Sequence, residues 1–478
     1  MSKKKGLSKE KELGQENELG REQIPKLLLK FSIPAIVGML VSSLYNIIDR
    51  IYLGHIPGVG NLAITGVGIT MPISSIITGF GMLIGIGAGT TISLKLGQGK
   101  KDEAEKILGN AFTLIFIMSI CITVLGLIFG KDILGMFGAS ENTISYAQDF
   151  IQIIYMGTIF NLIGFGLNQS IRASGSPLIS MMSMLIGSIA NAILAPIFIF
   201  VLGLGVKGAA IATVISQFLS AVWAVSYFLR KKSSLRIKAK NLKIKKTFVL
   251  QIFAIGVSPF SMQVATSIVQ VVANTSLKTY GGDLAIGAMT IVTSISTLIL
   301  MPIFGINQGM QPIVGYNFGA KKYARVKEAL KYPQIAAVII AIIGTLLVEL
   351  IPGPIVKFFN SDPELLAIAK NGMRIYLSMM IPVALQIIRS NYFSCIGKAK
   401  ISMVLSLLRQ VLLLIPCILI LPRLTIPVIG TIGLAGIWLA GPVSDILSVM
   451  VTFMVFKRGM KSLDASMVKE EAVVASVA

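Results

Sequence analysis

Twelve long apolar stretches divided by short polar ones organise this chain: residues 26–54, 62–95, 107–129, 145–171, 178–202, 207–230, 247–277, 284–316, 329–351, 364–395, 400–421 and 431–456. Each reaches the ~20 residues a helix needs to cross a hydrocarbon core. The longer ones allow tilt or a kink. Pro34, Pro72, Pro196, Pro259, Pro302, Pro312, Pro382 and Pro416 fall inside these stretches. Each removes a backbone donor and permits a bend where a neighbouring helix re-satisfies the carbonyls.

The polar stretches predict orientation. Arg230 to Lys246 holds nine Lys/Arg and no acid, and the segments at 95–106, 321–331, 398–400 and 457–461 are also rich in Lys/Arg. The alternate loops carry fewer, so the positive-inside rule places both termini in the cytoplasm of a multi-pass cytoplasmic-membrane protein. Residues 1–24 alternate charge sign without apolar periodicity and are expected to be a disordered cytoplasmic tail, with no cleavable signal peptide.

The chain also repeats itself. Gly99-Lys100-Lys101 resembles Gly319-Ala320-Lys321, Ser32-Ile33-Pro34 resembles Val257-Ser258-Pro259, and Gly205-Val206-Lys207-Gly208 resembles Gly430-Thr431-Ile432-Gly433, all 220–225 residues apart. An offset of six spans preserves orientation, so the halves are parallel repeats about an axis along the membrane normal. The expected fold is an all-α polytopic membrane protein: a 25–230 lobe and a 247–458 lobe of six helices each, a basic linker 231–246, and a cytoplasmic tail 459–478.

Composition agrees: 54% hydrophobic, 13% charged, mean hydropathy +0.81. The basic residues behind the net charge of +22 sit mainly in short segments between the apolar stretches, which favours a bilayer partner over nucleic acid. Cys121, Cys395 and Cys417 lie in apolar runs without pairing or metal spacing, and His55 has no ligand partner nearby in sequence.

Polar residues inside the spans are the candidate chemistry. Gly38, Ser42, Tyr45, Asn46 and Asp49 share one face of the first helix. Asp49 lies roughly 28 Å along it from Lys30, where a carboxylate needs a cavity, a partner or a cation. Arg50 points about 100° away and is a poor partner. Asn161, Gly164, Asn168 and Arg172 share a face of the fourth helix, Gly187, Asn191 and Ala195 of the fifth, and Thr213 stands on the sixth. Buried amides need partners that lipid cannot supply, so Asn168 and Asn191 are expected to line a pocket with Asp49. In the second half Gln263, Gln270 and Asn274 stripe the seventh helix, and Asn307, Gln308 and Gln311 cluster on the eighth, as amides suited to hydrogen-bonding a substrate. Arg409 and Asp445 lie ~14 and ~18 Å from the cytoplasmic ends of their helices, and an ion pair fixing helix packing is expected.

These features resemble the multidrug and toxic compound extrusion (MATE) family over essentially all of residues 25–458. The resemblance is carried by Pro34 with Asn46-Ile47-Ile48-Asp49-Arg50-Ile51-Tyr52-Leu53-Gly54, by Arg172-Ala173-Ser174-Gly175-Ser176-Pro177, and by Asn191-Ala192-Ile193-Leu194-Ala195-Pro196 running into Gly208-Ala209-Ala210. It implies export of small-molecule drugs or amphiphiles, often cationic, driven by inward H⁺ or Na⁺, with no cofactor and a monomer as the expected state. It further implies that Asp49 is the coupling carboxylate, with Tyr45, Asn168, Asn191 and Thr213 around it. One position departs: many resembling members carry Asp before the fifth-helix proline, where this chain has Ala195. Either coupling runs through Asp49 alone, or Ala195 is an engineered Asp→Ala change.

Two other classes fit less well. A flippase for lipid-linked precursors would line its cleft with several cations, and only Arg409 stands clearly at depth. An intramembrane enzyme needs a catalytic constellation that one loop histidine and no paired metal ligands do not supply.

Overall fold

The computed structural model of the chain describes residues 18–56, 59–137, 143–230, 233–357, 363–426, 430–431 and 433–477. The apolar stretches all become helices. In the amino-terminal half these are α1 Ile24–Gly54, α2 Leu62–Gly97, α3 Lys101–Met136, α4 Ile144–Ala173, α5 Pro177–Val201 and α6 Gly205–Leu229. In the carboxy-terminal half they are α7 Lys246–Gly282, α8 Leu284–Gly319, α9 Tyr323–Leu350, α10 (Pro363–Tyr376 and Met380–Cys395, bent by 51°), α11 Ala399–Arg423 and α12, which starts at Leu434. Gly282 takes φ 64° between α7 and α8, a left-handed turn that glycine adopts without steric cost. The end of α5 and the middle of α11 widen into π-helical turns at Ile197–Val201 and Leu408–Leu414. Each adjoins a proline, Pro196 or Pro416, whose missing N–H leaves a carbonyl one turn back to be re-satisfied. A two-residue antiparallel pair, Thr425–Ile426 with Gly430–Thr431, precedes α12.

Two apolar cores define the two six-helix lobes, and they exchange helix ends. Ile24, Leu27, Leu28 and Phe31 from the start of α1 belong to the carboxy-terminal core, with Ile303, Met310 and Ile313 of α8. Leu53, near the other end of α1, belongs to the amino-terminal core. Reciprocally, Ile252 at the start of α7 is buried in the amino-terminal core. Each core thus takes in residues from the start of the other half's first helix.

Both flanking segments are more ordered than the charge pattern suggests. Residues 1–17 lie outside the described residues, but Glu18–Arg21 forms a short helix with Leu19 buried, so disorder does not extend to residue 24. Asn317 Nδ2 donates to the Leu19 carbonyl at 3.0 Å, and Arg325 Nη2 donates to that of Glu22 at 2.6 Å. At the other end the α12 helix continues to Val477, so residue 458 marks no break. Lys327 pairs with Asp464 there. The linker is clasped to α3. Thr113 Oγ1 donates to Leu242 O (2.8 Å), Asn110 Oδ1 accepts from the Lys245 N–H (2.7 Å), Lys238 pairs with Glu105, and Leu235 is fully buried.

The lobes meet along α2 with α7 and along α1 with α8. The backbones come so close that a Cβ on Gly87 would stand 2.2 Å from Ile252 O, and one on Gly256 1.7 Å from Leu83 O. Only glycine permits that approach. Farther along the seam Phe80 packs on Phe260, with ring centroids 4.9 Å apart.

Candidate functional site

The amino-terminal lobe holds two adjoining cavities, of about 200 and 280 Å³. Tyr45, Thr78, Asn161, Thr213 and Gln217 belong to the walls of both. Asp49 lines the larger, beside Thr70 and Ser74, and among the described residues is the only carboxylate lining either. Asn168, Asn191 and Met184 line the smaller, and Gln308 reaches it from the other lobe.

Helix geometry brings these groups together. The spacing of Ser42, Tyr45 and Asp49 turns one face of α1 inward, and the absence of a side chain at Gly38 lets α1 approach Met184 of α5. On α6, Ala209 and Ala212 are fully buried, a small-residue face that allows close helix packing. Asn191 Nδ2 donates to Thr213 Oγ1 at 3.2 Å, and that hydroxyl donates to Ala209 O at 3.0 Å. Gln217, one turn beyond Thr213, has its Oε1 buried with no donor among the described residues, an acceptor at the cavity wall.

Below this cavity lies a buried guanidinium. Arg172, 2% exposed, donates through Nη2 to Asn168 Oδ1 and to Ser180 Oγ, both at 3.1 Å, and through Nη1 to Gln308 Oε1 across the seam. Asn168 Nδ2 in turn donates to Ser180 O at 2.7 Å, tying α4 to α5. Gln311 Nε2 donates to Thr90 Oγ1 at 2.5 Å, a second bond between lobes.

The structure thus gathers Tyr45, Asp49, Asn161, Asn168, Asn191 and Thr213 around connected cavities. The Asn46 side chain lies outside the described residues. Ala195 does not line either cavity: it is fully buried in the apolar core of its lobe. Gln263 packs near Gly79 at the seam, but Gln270 and Asn274 are exposed and line no cavity around Asp49. A polar stripe fixes the face of a helix, not what that face meets. Thr78, Ser74 and Gln217 were not anticipated. Their signal was the four-residue spacing of Ser74 with Thr78 and of Thr213 with Gln217. Arg409 Nε stands 2.6 Å from Asp445 Oδ1, at the edge of a separate cavity of about 110 Å³ in the carboxy-terminal lobe.

Twelve spans in two lobes, with polar cavities at membrane depth, define a membrane transporter. The comparisons agree. The MatE family model matches residues 34–197 and 259–420. The multidrug export protein MepA of Staphylococcus haemolyticus is 30% identical over 453 residues, 93% of this chain and 97% of that protein. MepA of Staphylococcus aureus strain MSSA476 is 27% identical over 401 residues, 84% and 87% respectively. Among solved structures, a multidrug resistance MATE transporter of the MOP superfamily in an outward-facing conformation superposes with a TM-score of 0.87 at 22% identity, covering 94% of this chain and 98% of that one. A MOP superfamily transporter from Pyrococcus furiosus gives 0.86 at 22% identity with the same coverage. The chain belongs to the MATE family, whose members are transporters and not enzymes.

Proposed function

We propose that this protein is an antiporter of the cytoplasmic membrane that exports amphiphilic, often cationic compounds in exchange for H⁺ or Na⁺ by alternating access. The observation that carries the reading is the placement of Asp49 in a cavity that shares five wall residues with its neighbour. A carboxylate and a substrate cavity so joined can influence each other: protonation or Na⁺ binding at Asp49 reshapes the wall that a cation or amphiphile would occupy. Export as the direction of transport is supported by the names of the staphylococcal relatives. Arg172, Gln308 and the glycine seam hold the lobes together toward the end that carries the basic loops, the cytoplasmic end in this reading. The cavities would then communicate with the opposite side. Ion binding acts by favouring one arrangement of the lobes over the other, which requires differential affinity for the two. The protein works as a monomer in this scheme, since each lobe supplies the partner surface of the other.

The test is efflux of a fluorescent cationic amphiphile from proteoliposomes under imposed H⁺ or Na⁺ gradients. Asp49→Asn is expected to lower gradient-driven efflux about tenfold or more while leaving the fold intact. Unchanged efflux in that variant would move the coupling site elsewhere. Ala195→Asp, assayed alongside, separates the two readings of that position: a large gain in coupled transport assigns the fifth-helix position to the mechanism, and no gain leaves coupling with Asp49 alone.

A further inference from the structure

The cavity in the carboxy-terminal lobe is the internal-repeat counterpart of the smaller cavity in the amino-terminal lobe. Gly175 and Gly397 both take positive φ, 94° and 80°, at the turns after α4 and α10. The step in numbering that carries one to the other also carries Asn168 to Ser390, Gln169 to Asn391, Gly187 to Arg409 and Ser188 to Gln410, all cavity-lining residues. The same step links Gln308, which reaches the first cavity from the opposite lobe, with Ile86, which reaches the second. Even the clasp recurs: Asn168 Nδ2 donates to Ser180 O, and its counterpart Ser390 Oγ donates to the counterpart carbonyl, Ser402 O, at 3.4 Å.

The charge does not recur in place. Arg172 corresponds to Ser394, which is 2% exposed, lines the cavity and has its Oγ buried without a hydrogen-bond partner among the described residues. The guanidinium of this lobe comes instead from Arg409 on α11. Among the described residues its one protein acceptor is Asp445, reached through Nε. Its terminal N–H groups remain on a side chain that is 25% exposed, at the wall of the cavity. Asp445 itself is not among the lining residues, and no carboxylate is. The cavity therefore faces the positive end of the ion pair, together with hydroxyls and side-chain amides able to donate. Its volume of about 110 Å³ has room for an ion and a few waters.

We propose that this cavity binds a small monovalent anion of the chloride class. The terminal N–H groups of Arg409 and the Ser394 hydroxyl are its principal donors, and the Ser406 hydroxyl and the Asn307 amide N–H groups complete the shell. The site gives the buried donors a partner that the protein does not provide.

Two measurements on the purified full-length protein test this. The thermal midpoint is compared in sodium chloride and sodium gluconate at matched ionic strength, and crystals grown in bromide are examined for anomalous scattering. Chloride is expected to raise the midpoint in a saturable way, and Ser394→Val to raise the half-saturating chloride concentration about tenfold with little change in gluconate. A bromide peak is expected beside Arg409. Identical midpoints in the two salts, a Ser394→Val protein with the native chloride response, or a cavity without bromide at concentrations that saturate the chloride effect would each overturn the proposal. If Ser394→Val does not fold, the bromide peak in the native protein decides alone. Neither readout uses transport, so the result is independent of the export reading.

Discussion

The two lobes share one six-helix plan and handle buried charge in opposite ways. The amino-terminal lobe surrounds Arg172 with neutral acceptors, Asn168, Ser180 and Gln308, and spends one of those bonds across the seam. The carboxy-terminal lobe gives Arg409 a carboxylate of its own, Asp445, and keeps the pair inside the lobe. Asp49, meanwhile, lines a cavity whose wall has no cation among the described residues. Duplication thus preserved the backbone clasp between the fourth and fifth helices of each half while the ionisable groups drifted. One lobe sets its acid in a cavity wall, where an ion can reach it. The other has a neutralised pair that holds helices together.

The comparison is tested most severely at the two arginines. Arg409→Gln leaves Asp445 as an unpaired buried charge and is expected to cost about 3–5 kcal/mol, whereas Arg409→Gln with Asp445→Asn should recover most of that loss. Arg172→Gln strips donors from neutral partners only, so about 1–3 kcal/mol is expected, with no rescue from a second substitution. Thermal unfolding of the four proteins checks the ordering. Equal losses at both arginines would erase the distinction. A smaller effect is expected at the seam. Gly256→Ala drives a Cβ against the Leu83 carbonyl, an overpacking cost of about 1–3 kcal/mol that falls only on the arrangement with the lobes closed there. Spin-label distances across α2 and α7 should lengthen in that variant. The smallest expected effect is at the linker: Asn110→Ala removes its bonds to Asn241, Lys243 and Lys245, costs about 1 kcal/mol, and should speed proteolysis between residues 231 and 246 more than it lowers the unfolding midpoint.

Much of this architecture was legible because lipid is a strict solvent. A helix that must satisfy its own backbone announces itself as an apolar run, and the six-plus-six repeat follows from short matches such as Ser32-Ile33-Pro34 with Val257-Ser258-Pro259. The site was legible where helical spacing, four residues for Tyr45 and Asp49 or seven for Asn161 and Asn168, put side chains on a common face. It was illegible where the meaning depended on another helix. Gln270 and Asn274 share the stripe of Gln263, yet only Gln263 reaches the seam. Arg172 finds Gln308 across 136 residues, a contact that no local pattern encodes. Leu19 hides in a Lys/Glu-rich segment because a single apolar residue creates no periodicity, although one is enough to seat that segment.

The exchanged helix ends also set a timetable for biosynthesis. Ile24 to Phe31 leave the ribosome early, but the α8 surface that buries them is made about 280 residues later, a wait of tens of seconds at about 5–20 residues per second. Until then the start of α1 must rest against lipid or an insertion factor. The nascent amino-terminal half is thus an unfinished body, completed only by the half that follows it.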